Sequence, residues 1–564
     1  LGVLLVGVEL FITAVALPDI FFDLSGWTEL RRASWIVTAY LVAYIAAMPL
    51  AGRAADRFGL PTLMIMSLIV FAGGSLVCGA AQTLEMLVAG RVIQGIGAGA
   101  ILPLATAGAS HLYEGHVRSR ALGLIGAATF LGMAIGPVLG ALILEHMQLR
   151  DALASVGIWG GTAVDLLTPS WRWVFYVTVP LALLAAIYVW AAELGWDVAP
   201  GSSRMDAVGA VLFSVALTSA LLAVTLIGDE PGDLPVIPIA TIVAIISGTL
   251  AIVRMLRVPE PFLDLRLFAS RVFSGAVLVS LLTGYALATA IVGMAAFIDR
   301  VRFAGPEEQG VVLGPMALFM AVGAFVSGFL MRRLNATAVT IGGLAISVVG
   351  LVWLSTTRID TELWVPVGAL SLFGLGFGLT VTPRSMAAVE AAGRDAFGAA
   401  SAAVTVARMV GMAIGMAVLT AFGTTRIDQT TLALNDQEYR DSILPPELVG
   451  QPLGDPLVLD AIERWASAEA AEVLGQLFVV AAIVLVITAI PAWLMREQAE
   501  DRDAESAAHA DDEEVRAGFE RSARLGRAGV RLGCRSARAR ASGPGWPVVA
   551  GDRLRRHDLA TEHG

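Results

Sequence analysis

The chain has 564 residues, of which 57% are hydrophobic and only 15% charged, with a formal net charge of −10 and a mean hydropathy of +0.75. A soluble globular chain carries about a quarter charged residues, so this one lacks the polar side chains to coat a water-facing surface. Its 38 basic residues are all arginine, and without a lysine the chain cannot hold nucleotide in a P-loop or form a lysine Schiff base.

The apolar content comes in blocks of roughly 20 residues, the length a helix needs to cross a hydrocarbon core ~30 Å thick. Backbone groups in lipid must be bonded within their own segment, and no period-two alternation points to a barrel, so each block reads as a helix. The first block opens on Leu1, already inside an apolar segment, and part of the amino terminus is expected to precede it. Residues 1–20 read as a spanning helix rather than a cleavable signal. The predicted spans then run 34–54, 62–80, 86–109, 121–144 and 174–193, followed by a central pair at 207–227 and 236–255. The last six are 272–298, 311–331, 338–355, 363–383, 397–422 and 473–495. The expectation is an all-α membrane protein with fourteen transmembrane helices.

Glu9 lies in the middle of the first span. A carboxylate there costs several kcal/mol, so it faces a cavity, finds a partner or takes up a proton, which makes it a candidate proton carrier. Alternatively, residues preceding Leu1 shift the helix and leave Glu9 near the interface. Gly52-Arg-Ala-Ala-Asp56-Arg57-Phe-Gly59 is predicted as a short loop between helices two and three. Its glycines permit a tight turn, and Asp56 and Arg57 supply opposite charges at the membrane edge. Alone, it reads equally well as an ordinary charged turn.

Arg91 stands about a turn inside helix four, just before Gln94-Gly95. A buried arginine stays charged and needs a carboxylate or a ring of acceptors, unless it snorkels to the interface. Arg408 in helix thirteen poses the same question. In helix five, Ala128, Gly132, Gly136 and Gly140 place a small residue at every fourth position. Such a stripe lets a neighbouring helix approach closely, while Pro137 removes a hydrogen bond and allows a bend.

An internal repeat organises these features. Gly95-Ile-Gly97-Ala-Gly99 matches Gly374-Leu-Gly376-Phe-Gly378, and Gly132-Met-Ala-Ile-Gly136 matches Gly411-Met-Ala-Ile-Gly415. Both pairs share an offset of 279 residues (374 minus 95, 411 minus 132). A common offset argues against chance matching in a glycine-rich chain. It implies two six-helix halves, residues 1–193 and 259–496, around a central pair within 194–258. Repeats of this kind build alternating-access transporters, with the substrate between the halves.

Arginine placement sets the expected orientation. The connections carrying Arg53, Arg57, Arg118, Arg120, Arg254, Arg257, Arg266, Arg271, Arg332 and Arg333 are expected to be cytoplasmic, with both termini on that side. Arg31, Arg32, Arg300 and Arg302 fall on the other side and weaken the bias. Residues 145–170 form an outer-side insertion, 424–472 a long acidic outer loop, and 497–564 a charged cytoplasmic tail too poor in apolar residues to build a core. The tail's composition is also compatible with a gene-model artefact. Cys78 and Cys534 suggest neither a disulfide nor a metal site, and no histidines are spaced as ligands. No metal, cofactor, nucleotide or nucleic-acid partner is expected.

Together these motifs resemble the major facilitator superfamily, and within it the fourteen-helix drug:proton antiporters of the EmrB and QacA type. Gly52 to Gly59 resembles the superfamily's loop signature, and Arg91-Val-Ile-Gln94-Gly95-Ile-Gly97 is similar to a motif linked to proton coupling. Gly132 to Gly140, with Gly136-Pro137 inside it, looks like the antiporter motif. Glu9 to Pro18 resembles the first-helix signature, whose acidic residue matches Glu9. Ser170-Trp-Arg-Trp-Val-Phe before helix six and Pro261-Phe-Leu-Asp-Leu-Arg-Leu-Phe before helix nine also fit, so the resemblance covers residues 1 to about 496.

The resemblance implies a major facilitator fold in the cell membrane, energised by a proton gradient and exporting lipophilic drugs or metabolites. Glu9, Asp56, Arg57, Arg91 and Gln94 would then serve coupling or gating, with Arg408 as a second-half partner and a monomer as the expected state. The chain departs from the pattern at Leu60 and Pro61, where basic residues are usual, and at Ala14, where asparagine is usual. Helix thirteen also lacks a carboxylate, and the insertion after Glu145 is atypical. An importer of the same fold and a non-transporting membrane sensor are the alternatives.

Overall fold

With no water to satisfy them, the backbone groups of each apolar block close their hydrogen bonds within the block, and every regular element is helical. The computed structural model describes residues 1–24, 30–147, 162–192, 206–225, 235–259, 261, 264–304, 306–393, 397–419, 422, 436–452 and 455–496. The predicted tail and the middle of the 145–170 insertion lie outside these, as does the start of the 424–472 loop.

The first set of helices is α1 (Gly2–Leu24), α2 (Leu30–Phe58), α3 (Leu60–Gly79), α4 (Leu84–Leu112) and α5 (Gly115–His146), then the short α6 (Thr162–Leu167), α7 (Ser170–Tyr176) and α8 (Thr178–Ala192). A pair follows, α9 (Ala207–Thr225) and α10 (Val236–Arg257). The second set is α11 (Arg271–Arg300), α12 (Pro306–Leu330), α13 (Ala336–Leu354), α14 (Trp364–Ala392) and α15 (Phe397–Val418), then the short α16 (Gln437–Ile443), α17 (Pro456–Ile487) and α18 (Ala489–Leu494). Among the described residues there is no strand. Eleven helical stretches there are long and apolar enough to span a membrane, with two shorter apolar stretches at Trp35–Met48 and Val208–Ala223.

Of the boundaries that differ from the sequence expectation, three bear on the turns and the site. The predicted loop at 52–59 is helical as far as Phe58, and the chain turns at Gly59 alone, with φ of +88°. That conformation suits a residue without a Cβ. Pro61 then starts α3 in its first turn, where a missing N–H costs nothing. The fourth helix of the second set runs nine residues past Pro383 to Ala392, which carries Arg384 inside a helix. The last span begins at Pro456 rather than 473, capped by the Asp455 side chain, so part of the predicted outer loop is helix.

The glycine repeat is a packing device. A Cβ on Gly95 or Gly99 would meet the backbone carbonyl of Tyr40 or Tyr44 on α2, and one on Gly97 would meet Phe71 on α3. In the second set, Gly374 and Gly378 face the carbonyls of Met316 and Met320 on α12, and Gly376 faces Ser347 on α13. Each glycine-rich helix is thus wedged identically between two neighbours. Gly132 of α5 likewise abuts the carbonyl of Leu4, and Gly411 of α15 that of Leu281. The central pair joins through Arg254 and Asp206 at 2.6 Å, and Ser214 of α9 donates to the Ala46 carbonyl of α2.

The two sets meet where α4 ends and α5 begins. The Ser119 hydroxyl donates to the Gly328 carbonyl at 3.1 Å, and Gly123 lies against the backbone of Ala324. His111 and Arg118 both pack on Phe397, and Arg120 on Phe329. These contacts close the side that carries Arg118, Arg120, Arg332 and Arg333.

Candidate functional site

Within the first set, α1 and α4 bring a carboxylate and a guanidinium together in the interior. Arg91 Nη1 donates to Glu9 Oε1 at 2.6 Å, with both side chains essentially unexposed. The same Nη1 reaches Gln94 Oε1 at 2.6 Å, and Nε donates to the Ile36 carbonyl at 3.0 Å. The guanidinium also sits over the Tyr40 ring, 4.0 Å from its centroid. Gln94 passes the chain on, donating to Ser75 Oγ at 2.8 Å, which also meets the Thr178 hydroxyl. Thr13 donates to Glu9 Oε1 at 3.0 Å, one turn along α1.

Of the two readings of Arg91, the pairing holds and the snorkelling does not. The Glu9 side chain is fully buried within the protein. Its second oxygen, Oε2, is buried with no hydrogen-bond partner. A buried ion pair is held only if its remaining donors and acceptors are satisfied, so this lone oxygen is the place where a proton can be accepted.

Between the two sets lies a small cavity of about 40 Å³. From α4 and α5 come Leu102, Leu122, Ile125 and Phe130 with the hydroxyls of Thr106 and Thr129, whereas Arg384 and Arg408 enter from α14 and α15. Both arginines are at least nine-tenths buried. Arg384 Nη1 donates to the Thr283 hydroxyl and its Nε is unpartnered.

Of the other expected site residues, the side chains of Asp56 and Arg57 lie outside the described residues. Gly132 and Gly140 face α1, the latter against Ile12, Gly136 is buried, and Pro137 lies inside α5. Arg408 is not brought to Glu9. It lines the cavity with Arg384, which sequence reasoning passed over because Pro383 looked like a helix end. The apolar residues after it, Met386 to Val389, were the available signal that the helix continues. Ser75, Thr178 and Tyr40 carried no signal, being ordinary residues of apolar helices.

The model of the Major Facilitator Superfamily matches residues 1–416. The chain belongs to the major facilitator superfamily. This multi-pass membrane protein is therefore a secondary transporter rather than an enzyme. It is 35% identical to a triacylglyceride transporter of Mycolicibacterium hassiacum, over 76% of this chain and 79% of that one. It is 31% identical to a triacylglyceride transporter of Mycobacterium tuberculosis, over 91% and 95%. Among solved structures, a bacterial homolog of the human lysosomal transporter Spinster, inward-facing and unoccupied, superposes with a TM-score of 0.55 at 17% identity, covering 88% of this chain and 97% of that one. The transporter FucP in its outward conformation gives 0.52 at 14% identity, covering 88% and 97%. At such identity the likeness is one of fold.

Proposed function

We propose that this superfamily member is a proton-coupled antiporter that exports a lipophilic metabolite of the acyl-lipid class. The buried Glu9–Arg91 pair with its unpartnered Oε2 carries the reading. Deprotonated, Glu9 neutralises Arg91 and ties α1 to α4. Protonation at Oε2 removes that charge and leaves Arg91 on Ile36, Gln94 and the Tyr40 ring, which loosens α1 from its neighbour. Because α1 also packs on the Gly132 stripe of α5, and α5 reaches the second set at Ser119 and Gly123, the change has a route to the contacts between the sets.

Substrate class follows from the apolar cavity wall and from the relatives' lipid cargo. Export of lipophilic drugs, with resistance as its consequence, rests on the same wall and on the antiporter-type stripe. The proposal keeps a fourteen-helix architecture, which α1 and the two shorter apolar stretches together with the eleven long ones support, with rocking halves at 1–193 and 259–496 and both termini in the cytoplasm.

The test is transport in proteoliposomes carrying a labelled glyceride, with an imposed pH gradient. A gradient directed against the substrate should drive its movement, and Glu9→Gln should abolish that drive while leaving downhill exchange. Transport indifferent to both the gradient and Glu9→Gln would overturn the coupling.

A further inference from the structure

The two cavity arginines are an unresolved charge. Guanidinium groups stay protonated in proteins, so burial cannot be relieved by losing a proton. Arg384 and Arg408 are nonetheless buried and line the same cavity. Among the described residues no carboxylate lines the cavity they share. Arg384 has one hydroxyl partner, Thr283, a neutral Phe377 ring 5.2 Å from its guanidinium, and a bare Nε. Arg408 makes no hydrogen bond or ion pair with any described residue. The contrast with Arg91, whose charge is met by Glu9, is internal to the same molecule. A buried charge is normally paired or bound to a ligand.

The repeat shows that this charge is placed on one side only. The 279-residue offset makes Arg408 the counterpart of Thr129 (408 minus 129), and both line the cavity, one from each set. Their backbones are also equivalent, since Gly7 abuts the Thr129 carbonyl as Gly284 abuts that of Arg408. The first set therefore offers a hydroxyl where the second offers a guanidinium. Beside the hydroxyls of Thr106 and Thr129 the first set adds Leu102, Leu122, Ile125 and Phe130 to the lining. The space beside the two guanidiniums is about 40 Å³, more than one water needs and enough for the oxygens of one anionic head group.

We propose that this cavity binds the head of an anionic amphiphile, one carboxylate or phosphate held between Arg384 and Arg408, with Leu102, Leu122, Ile125 and Phe130 beside the start of its apolar body. Arginine forks recognise both head groups through paired, charge-assisted bonds. The inference rests on the lipid-exporter reading and narrows it: a fully esterified, neutral glyceride has no group for the two guanidiniums.

The test is equilibrium competition on the purified full chain in a neutral detergent. Labelled dipalmitoyl phosphatidate is displaced by palmitate, dipalmitoylglycerol, tripalmitin or inorganic phosphate. Phosphatidate or palmitate should bind about tenfold or more tighter than the neutral glycerides, the scale of a charge-assisted pair. Arg408→Gln should erase that preference, and Arg408→Lys should keep part of it. Arg384→Gln should act in the same direction, and if it fails to fold, Arg408→Gln decides. Equal binding of tripalmitin and phosphatidate, an unchanged preference in Arg408→Gln, or competition by inorganic phosphate as strong as by phosphatidate would each overturn the proposal. Binding is read with no gradient, so its outcome is separate from whether protons drive transport.

Discussion

Glu9 and Arg91 stand 82 positions apart in sequence and 2.6 Å apart in the fold, in a place where neither side chain reaches solvent. The pair joins α1 to α4 and is the only carboxylate–guanidinium contact among the described residues in which both partners are essentially unexposed. Its value to the fold lies less in net attraction than in the cost of breaking it, because a lone charge would stay behind in the interior.

Breaking the pair from one end should therefore be severe. Arg91→Ala strands the Glu9 carboxylate and removes the donors to Ile36 and Gln94, and a loss of about 3–5 kcal/mol is expected. The double variant Glu9→Gln, Arg91→Met should melt above Arg91→Ala when both are followed by thermal unfolding in detergent. A double variant no better than the single one would mean that the pair contributes through packing and not through charge.

The glycines of the helices divide into those that abut backbone and those that do not. Gly132→Ala and Gly411→Ala place a methyl against the carbonyls of Leu4 and Leu281, so both should lower the melting temperature and the yield of folded protein. Gly73→Ala and Gly342→Ala meet nothing within 4 Å, and each should be neutral or stabilising by up to ~1 kcal/mol through helix propensity. A uniform response of all four would contradict the packing described.

Gly59 isolates a conformational effect. A Cβ there meets no atom within 4 Å, yet φ is +88°. Gly59→Ala is expected to cost about 1–3 kcal/mol as backbone strain alone. Unfolding of the variant measures it, and an unchanged stability would place the turn elsewhere.

Thr106 of α4 and Ser401 of α15 touch through their hydroxyls across the closed side. In a background with Cys78 and Cys534 replaced by serine, the Thr106→Cys, Ser401→Cys variant should cross-link under mild oxidant and stop transport. Reduction should restore it. Cross-linking that leaves transport intact would show that these ends do not part during the cycle.

Much of the fold was legible from local rules. Spanning blocks are set by bilayer thickness, and an arginine or carboxylate inside one stands out because it is expensive there. The shared 279-residue offset already implied two related sets, since close helix approach requires small residues at fixed positions. Helix ends were less legible. Pro383 looks like a terminus although the helix accommodates it, and the glycine-bounded segment is helix up to Phe58.

By itself, then, the sequence determined that this chain crosses the membrane many times, that its two sets are related, and that Glu9 and Arg91 needed an explanation. Tertiary structure alone decided what that explanation is. Glu9 finds Arg91 because α1 and α4 lie side by side, a distance no local pattern encodes. Arg384 and Arg408 share one cavity, lined by no carboxylate among the described residues, because α14 and α15 both reach it. Burial turns each of these arginines into a charge that must be met, and burial is a property of the packed molecule, not of a residue in a string.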